Sequence, residues 1–233
     1  MTESAAARSA TRPIAVLFDL DGTLIDSIDL LLGAFRHAFG TVVGRIPPEE
    51  AWVAGIGTPL VTQMREFARD EAELETLIAV YRAYQREHHD RLIREFEGAR
   101  DTLALIHGRG HPTALVTSKI VELAVRALDY TRLHEFIDVV IGADLCERHK
   151  PDPEPVHFAL RELGYEPERA VFVGDSPHDI GAGNAAGVIT VAAHWGPFDA
   201  ETLERAGPTY SIEHIAQLPA LIERLQERAA ERR

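Results

Sequence analysis

The chain has 233 residues, of which 26% are charged and 45% are hydrophobic, and it contains a single cysteine. Its formal net charge of -13 argues against nucleic-acid binding, because phosphate backbones are bound by concentrated basic surfaces. One cysteine excludes an internal disulfide, and no apolar stretch approaches the roughly 20 residues that a membrane-spanning helix needs. We therefore expect a cytoplasmic protein, a monomer or a homodimer, that binds neither nucleic acid nor a membrane. Residues 1–12 are rich in Ala, Ser and Arg, show no secretory signal, and are expected to form a disordered tail.

The first predicted strand is the apolar run 14–18, which leads directly into the motif Asp19-Leu20-Asp21-Gly22-Thr23. Two neighbouring carboxylates in apolar surroundings repel each other and are costly to desolvate, so a fold seldom keeps them without a cation or a shared proton. A divalent metal would resolve this conflict, whereas a solvated Asp-Gly turn is the alternative for this motif alone. Gly22 allows a tight turn close to a ligand, and Thr23 offers that ligand a hydroxyl and an amide.

A helical insertion is predicted between the first strand and Thr113. This segment is far too long for an ordinary crossover, and it carries helical periodicity throughout. We assign residues 27–97 to an inserted helical domain, and residues 13–26 together with 98–233 to the core. His88 and His89, which precede an aspartate, are metal-ligand types, but consecutive helix positions diverge by about 100° around the axis. A solvated position or a part in closing the insertion over the site is favoured for them over metal binding.

The rest of the chain predicts a parallel sheet. Its apolar runs are continuous rather than alternating and are separated by helix-length segments, which is typical of an α/β, Rossmann-like core covered by helices on both faces. The predicted strands are residues 113–118, 137–142, 170–175 and 189–193. In such sheets the ligand crevice lies beyond the carboxyl ends of the strands. The chemically active side chains expected at this shared rim are Asp19, Asp21, Thr117, Ser118, Lys150 and Asp175.

Four motifs in this order resemble those of the haloacid-dehalogenase-like hydrolases, a superfamily made mostly of magnesium-dependent phosphatases. The motifs are Asp19-Leu20-Asp21-Gly22-Thr23, Thr117-Ser118, Lys150 before Pro151-Asp152-Pro153, and Gly174-Asp175-Ser176-Pro177-His178-Asp179. The resemblance covers the chain from about residue 14 to about residue 195. The resemblance implies that the helical insertion is a cap, which closes over the rim and contributes to substrate selection.

The resemblance also implies roles for four acidic residues. Asp19 would attack the phosphoryl group, form an aspartyl phosphate and bind Mg²⁺. Asp21 would protonate the leaving group and later deprotonate the hydrolytic water, while its backbone carbonyl would ligate the metal. Asp175 would be a direct metal ligand, and Asp179 would act through water or as a support. From the residues alone, Asp179 has the alternative of capping the helix that follows it.

The remaining implied site residues bind the small phosphorylated substrate. Thr117 and the amide of Ser118 would hold the transferring phosphoryl group, and Lys150 would offset charge on both Asp19 and the phosphate. Gly22, Thr23 and Lys119 complete the expected substrate-binding set. From the residues alone, Thr117 has the alternative of ending a strand and Lys150 that of a solvated lysine before a helix. His178 is expected to be an exposed histidine at a helix start.

The presence of Asp21 disfavours dehalogenation, which has no leaving-group oxygen to protonate. The chain is most similar to the phosphoglycolate phosphatase branch and the related inorganic pyrophosphatases, and segments 81–90, 117–119, 150–155 and 184–187 favour pyrophosphatase. A phosphomutase and a non-catalytic regulatory protein are the further alternatives, although the latter usually loses the nucleophile or the metal acids. If Arg86 to His89 face the closed site, their basic groups would pair with the leaving phosphate.

Overall fold

The structure, a computed structural model, describes residues 13–231. Within that range, eight strands and ten α-helices follow each other along the chain. The strands are β1 Ala15–Phe18, β2 Ile25–Asp26, β3 Arg94–Glu95, β4 Thr113–Val116, β5 Val139–Ile141, β6 Ala170–Gly174, β7 Ile189–Ala193 and β8 Tyr210–Ile212. The helices are α1 Ile28–Val42, α2 Glu49–Val53, α3 Leu60–Arg65, α4 Glu71–Leu92, α5 Ala99–Gly108, α6 Val121–Thr131, α7 Glu154–Leu163, α8 Pro177–Ala186, α9 Ala200–Arg205 and α10 Leu218–Glu231. None of the described helices combines the length and the apolar character needed to cross a membrane. The tail predicted for residues 1–12 lies outside the described residues.

A six-stranded parallel sheet forms the centre of the core, in the order β5-β4-β1-β6-β7-β8. All four residues of β1 are buried. Successive strand side chains point to opposite faces, so Val16 and Phe18 join the hydrophobic cluster on one side and Ala15 and Leu17 join the cluster on the other. Helices α5, α6 and α10 supply the first cluster, and α7 and α8 supply the second. The predicted α/β core with helices on both faces is confirmed.

The edge strand β8 was not predicted from the sequence. The five predicted strands of this sheet are all present, and none is longer than its predicted range. β8 has only three residues, and its side chains alternate between partly buried, exposed and buried positions. So short a run lacks the continuous apolar character of the central strands, which is why sequence analysis did not assign it.

Four helices, α1 to α4, lie between the two short strands β2 and β3, and we refer to residues 27–97 as the insert. The insert has its own apolar centre, in which Phe35 and Trp52 stack with ring centroids 4.6 Å apart. β2 and β3 pair antiparallel, and an ion pair of 2.5 Å between Arg94 and Asp26 adds to this pairing. The chain therefore leaves the core and returns to it at one place.

The topology brings three strand ends to one rim. β1 lies between β4 and β6, and its last residue, Phe18, is in register with Leu115 and Val173. Because all three strands run parallel, the residues that follow them emerge on the same side of the sheet. Asp19 and Asp175 are two of these residues.

Candidate active site

Lys150 joins two acidic residues at this rim. Its Nζ donates hydrogen bonds to Oδ1 of Asp19 at 2.7 Å, to Oδ1 of Asp179 at 2.6 Å and to the carbonyl of Val116 at 3.2 Å. Lys150 is 3% exposed, Asp19 4% and Asp179 0%. A buried ammonium group needs such partners, since desolvating an unpaired charge is prohibitive. The structure thus places Lys150 inside the site and not in solvent.

Three carboxylates form a group that fits a cation. Oxygen atoms of Asp19, Asp175 and Asp179 all lie within 4.8 Å of one another. Oδ1 of Asp175 accepts a 2.5 Å hydrogen bond from the Thr23 hydroxyl, whereas its Oδ2 is buried and has no hydrogen-bond partner among the described residues. Leaving a carboxylate oxygen buried and unpaired is costly, and hard divalent cations prefer such oxygens. The donor set is therefore that of a magnesium or similar site.

Burial raises the pKa values of two of these carboxylates, Asp19 and Asp175, in the absence of a cation. Desolvation raises the pKa of Asp19 to about 7, against the lowering effect of Lys150. Desolvation also raises the pKa of Asp175 well above its usual value, and the negative charges of Asp19 and Asp179 add to this shift. The site therefore binds positive charge strongly, whether as protons or as a cation.

Two glycines make room for Asp175. Gly22 has a φ of 90°, and a Cβ atom at Gly22 or at Gly196 would clash with the Asp175 side chain. Trp195, next to Gly196, donates its indole N–H to the carbonyl of Thr23 at 3.0 Å. Sequence analysis selected Gly22 but missed Gly196, which follows the last long strand without a neighbouring acidic residue.

Asp179 caps the helix that follows it and also binds Lys150. Its Oδ2 accepts hydrogen bonds from the backbone N–H of Ser176 at 3.0 Å and from the Ser176 hydroxyl at 2.5 Å. The first of these bonds, together with the Asp179 N–H donating to Oγ of Ser176 at 3.2 Å, forms the capping box of α8. Oδ1 of Asp179 receives the hydrogen bond from Lys150. Both oxygens of Asp179 are thus occupied, in contrast to Oδ2 of Asp175.

Asp21 lies apart from this trio of carboxylates. Lys119 Nζ is 2.9 Å from its Oδ2 and 3.0 Å from its Oδ1, and the Ser27 hydroxyl donates to Oδ1 at 2.5 Å. Lys119, which is expected to contact substrate, contacts the carboxylate predicted to act as acid and base. The two predicted acids Asp19 and Asp21 therefore have separate lysine partners.

The predicted phosphoryl-binding pair follows β4. The Thr117 amide donates to the carbonyl of Ile141 at 2.9 Å, which continues the sheet ladder, and the Thr117 hydroxyl accepts from the Lys119 amide at 3.2 Å. The Ser118 hydroxyl donates to the carbonyl of Gly57 in the insert at 2.5 Å. His178 also meets the insert, because its Nε2 lies 3.4 Å from the Ala54 carbonyl, so it is not simply a solvated helix-start residue.

A cavity of about 360 Å³ lies between the core and the insert. The core side includes Asp19, Asp21, Thr117, Ser118, Lys119, Leu123, Asp144 and His149. The insert side includes Leu31, Trp52, Ile56, Gly57, Leu60, Tyr81, Arg82 and Gln85. The predicted acids and phosphoryl-binding residues thus line the same cavity as residues of the insert.

The segment from Arg86 to His89, for which a position facing the closed site was one alternative, does not line this cavity. His89 is buried outside the cavity, and its ring centroid lies 5.8 Å from that of Tyr130 in α6. His88 packs against Tyr84, with ring centroids 4.1 Å apart. α4 instead presents residues one turn earlier, among them Arg82, which sequence analysis missed. The correction concerns position along the helix axis and not the helix face, since about 3.6 residues complete a turn and residues four apart lie on nearly the same side.

Comparisons with known proteins agree with this geometry. The family model for haloacid dehalogenase-like hydrolases matches residues 16–193. The chain is 36% identical over 204 residues to pyrophosphatase PpaX of Halalkalibacterium halodurans, with 87% of this chain and 94% of that protein covered. It is 35% identical over 207 residues to pyrophosphatase PpaX of Bacillus pumilus, with 89% of this chain and 95% of that protein covered. The crystal structure of a predicted phosphoglycolate phosphatase from Haemophilus somnus 129PT has a TM-score of 0.82 over 91% of this chain and 98% of that one, at 23% identity. This last likeness supports the fold alone.

Proposed function

The chain belongs to the haloacid dehalogenase-like hydrolase family and is a phosphatase of that family, and we propose that its substrate is inorganic pyrophosphate. The observation that carries the catalytic part of the proposal is the Lys150 side chain, which holds Asp19 at the floor of the shared cavity. The names of the relatives at 35% and 36% identity support the choice of substrate.

Asp19 is the proposed nucleophile of the first step. A carboxylate oxygen of Asp19 forms a bond to phosphorus, the bridging P–O bond breaks, and its electron pair goes to the leaving oxygen. Asp21 gives that oxygen a proton, and Lys150 offsets the negative charge near the nucleophile. Among the described residues the Ser118 amide has no hydrogen-bond acceptor, so it is available to a phosphoryl oxygen.

The second step hydrolyses the aspartyl phosphate. A water oxygen bonds to phosphorus, Asp21, now ionised, accepts one proton of that water, and the bond from phosphorus to Asp19 breaks. Pyrophosphate and one water thus become two phosphates, and both acids return to their starting states. Lys119 and Ser27, which bind the Asp21 carboxylate, are proposed to position it through both steps.

Mg²⁺ is the proposed cofactor, held by Asp19, the backbone carbonyl of Asp21, and Asp175. It would supply positive charge to neutralise the phosphoryl oxygens. Asp175 offers a buried oxygen without a partner, whereas both oxygens of Asp179 are taken by Lys150 and Ser176. We therefore assign Asp175 as a direct ligand and Asp179 as a support.

The insert, residues 27–97, is proposed to act as a cap over the cavity, with its hinge at the β2–β3 pair. Ser118 binds the carbonyl of Gly57, and the insert carries one wall of the cavity. Opening at the hinge would admit substrate, and closure would exclude bulk water from Asp19.

A second candidate substrate class is a small organic phosphate monoester, such as phosphoglycolate. The specific observation in its favour is the apolar part of the chamber, to which Leu31, Trp52, Ile56 and Leu123 contribute. A cavity of about 360 Å³ is within the roughly 300–1,000 Å³ range of sites for organic ligands.

Phosphate release from a panel of substrates tests these proposals. Purified protein is assayed with pyrophosphate, phosphoglycolate and sugar phosphates, with Mg²⁺ and with a chelator. We expect the highest kcat/KM for pyrophosphate and no turnover in chelator. Asp19→Asn should lower the rate by several orders of magnitude, since enzymes typically accelerate reactions by about six or more orders of magnitude. Retention of a tenth of the activity by Asp19→Asn would exclude Asp19 as the nucleophile, and a preference for phosphoglycolate would select the second candidate.

A further inference from the structure

Arg82 is a cation without a partner in the active-site cavity. It is half-buried on α4 and lines the chamber that also contains Asp19 and Asp21. In the part of the chain that the structure describes, its side chain has neither an ion pair nor a hydrogen bond. Other arginines of the insert, Arg36 and Arg69, do have carboxylate partners. Arg82 differs from these two in facing the cavity without a carboxylate partner.

Within the described residues, none of the acidic side chains that line the cavity forms an ion pair with Arg82. On the core side, Asp19 is bound by Lys150 and Asp21 is bound by Lys119. Asp144 also lines the cavity, but one of its oxygens accepts the Val121 amide at the start of α6. A cation in a partly apolar chamber attracts an anion more strongly than it would in bulk water, because the effective dielectric constant is lower.

A second donor stands beside Arg82. Gln85 lies three residues further along α4, and residues at this spacing are neighbours on one helix face. Both side chains line the cavity from the insert side, whereas the nucleophile lies on the core side. A guanidinium group binds phosphate or carboxylate oxygens through two parallel hydrogen bonds, and an amide adds a neutral donor.

We propose that Arg82, assisted by Gln85, binds an anionic group carried by the leaving group of the substrate. The inference rests on the proposed phosphatase function and adds that the natural substrate has a second anion beyond the transferring phosphoryl group. In pyrophosphate this anion is the departing phosphate, and in phosphoglycolate it is the carboxylate. Alkyl and aryl phosphates without a second anion gain nothing from Arg82.

Arg82→Gln tests the assignment, with Arg86→Gln as the matched control. Arg86 lies on the same helix, is exposed, and does not line the cavity. Arg86→Gln therefore changes the net charge by the same amount as Arg82→Gln but leaves the cavity unaltered. Steady-state kcat/KM is measured for pyrophosphate, phosphoglycolate and phenyl phosphate. We expect Arg82→Gln to lower kcat/KM about 10- to 100-fold for a substrate with a second anion, since a hydrogen bond to a charged group is being lost, and less than about threefold for phenyl phosphate. Arg86→Gln should change each value less than about threefold.

Equal losses on all three substrates, or equal effects of the two arginine variants, would overturn the inference. Arg82→Lys keeps the charge and should restore part of the selectivity, while thermal unfolding shows whether each variant is folded. Asp19→Asn tests the proposed function separately, because it should abolish turnover of every substrate. Asp19-dependent turnover without a selective effect of Arg82→Gln would leave the phosphatase function intact and remove this inference alone.

Discussion

Lys150 Nζ and Asp19 Oδ1 lie 2.7 Å apart, and the two residues are only 3% and 4% exposed. Breaking a buried ion pair by removing one partner is destabilising by about 3–5 kcal/mol, because the other charge stays buried and unpaired. Lys150→Met should therefore lower the free energy of unfolding by that amount and abolish phosphate release. Urea unfolding in chelator measures the stability, and an unchanged unfolding midpoint would contradict the role of Lys150 in charge balance.

The double variant Lys150→Met with Asp19→Asn is the control for this pair. If the two side chains interact as the structure indicates, the double variant loses less stability than the sum of the single variants. Additive losses would show that Lys150 acts mainly through other contacts, such as Asp179.

Stability of the metal-free protein should depend on pH through Asp19. Burial raises its pKa from 3.8 to about 7, so the folded state binds this proton more tightly than the unfolded chain. This contribution is fully present below 3.8 and is lost as the pH rises towards 7. Wild-type stability should therefore fall relative to that of Asp19→Asn across this window.

Urea unfolding of both proteins in chelator at a series of pH values measures this difference. The comparison removes the contributions of carboxylates that do not interact with Asp19. Saturating Mg²⁺ should abolish the trend, because a cation takes the place of the proton. A difference that is constant with pH, or that changes in the opposite direction, would contradict the raised pKa.

The strand ends show what sequence alone could predict. Continuous apolar runs give parallel strands buried on both faces, and the topology of such sheets sends the following residues to one rim. For this reason Asp19, Thr117 and Asp175 could be placed together before any distance was known. The burial of Lys150 was harder to predict from the sequence, since a lysine before prolines is equally compatible with a solvated turn.

The part of α4 that reaches the cavity and the approach of Gly196 to the rim could not be predicted from the sequence. Which turn of α4 meets the core depends on how the insert packs, so Arg82 lines the cavity whereas Arg86 and His89 do not. Gly196 meets Asp175 only because the segment after β7 passes over the rim, and no local pattern encodes this approach. Both features depend on tertiary contacts between distant segments.

Neutralising Asp175 and neutralising Asp179 should change the stability of the metal-free protein in opposite directions. In metal-free protein, Asp175→Asn removes a buried carboxylate with an unpaired oxygen and should raise stability, whereas Asp179→Asn removes one of the two carboxylate partners of Lys150 and should lower it. Asp179→Asn should weaken Mg²⁺ binding by about 10- to 100-fold as a supporting residue, and Asp175→Asn should weaken it more as a direct ligand. Calorimetric titration with Mg²⁺ measures the affinities, and the reverse order would exchange the two assignments.

Gly57 offers a test of closure by the insert. It has a φ of 99°, its carbonyl accepts the Ser118 hydroxyl, and an added Cβ would lie 2.7 Å from Oγ of Ser176 in the core. Gly57→Ala should therefore push the insert away from the rim and lower kcat/KM for pyrophosphate by about tenfold or more, since closure completes the site.

Gly44→Ala is the matched control for backbone strain. Gly44 is also in the insert and has a φ of 73°, but an added Cβ there has no atom within 4 Å. Both substitutions place alanine in the left-handed region and should cost about 1 kcal/mol of stability or somewhat more. Only Gly57→Ala should impair turnover, as measured by phosphate release at limiting substrate on protein shown to be folded by thermal unfolding. Equal activity of the two variants would mean that the contact between Gly57 and Ser176 has no part in closing the site.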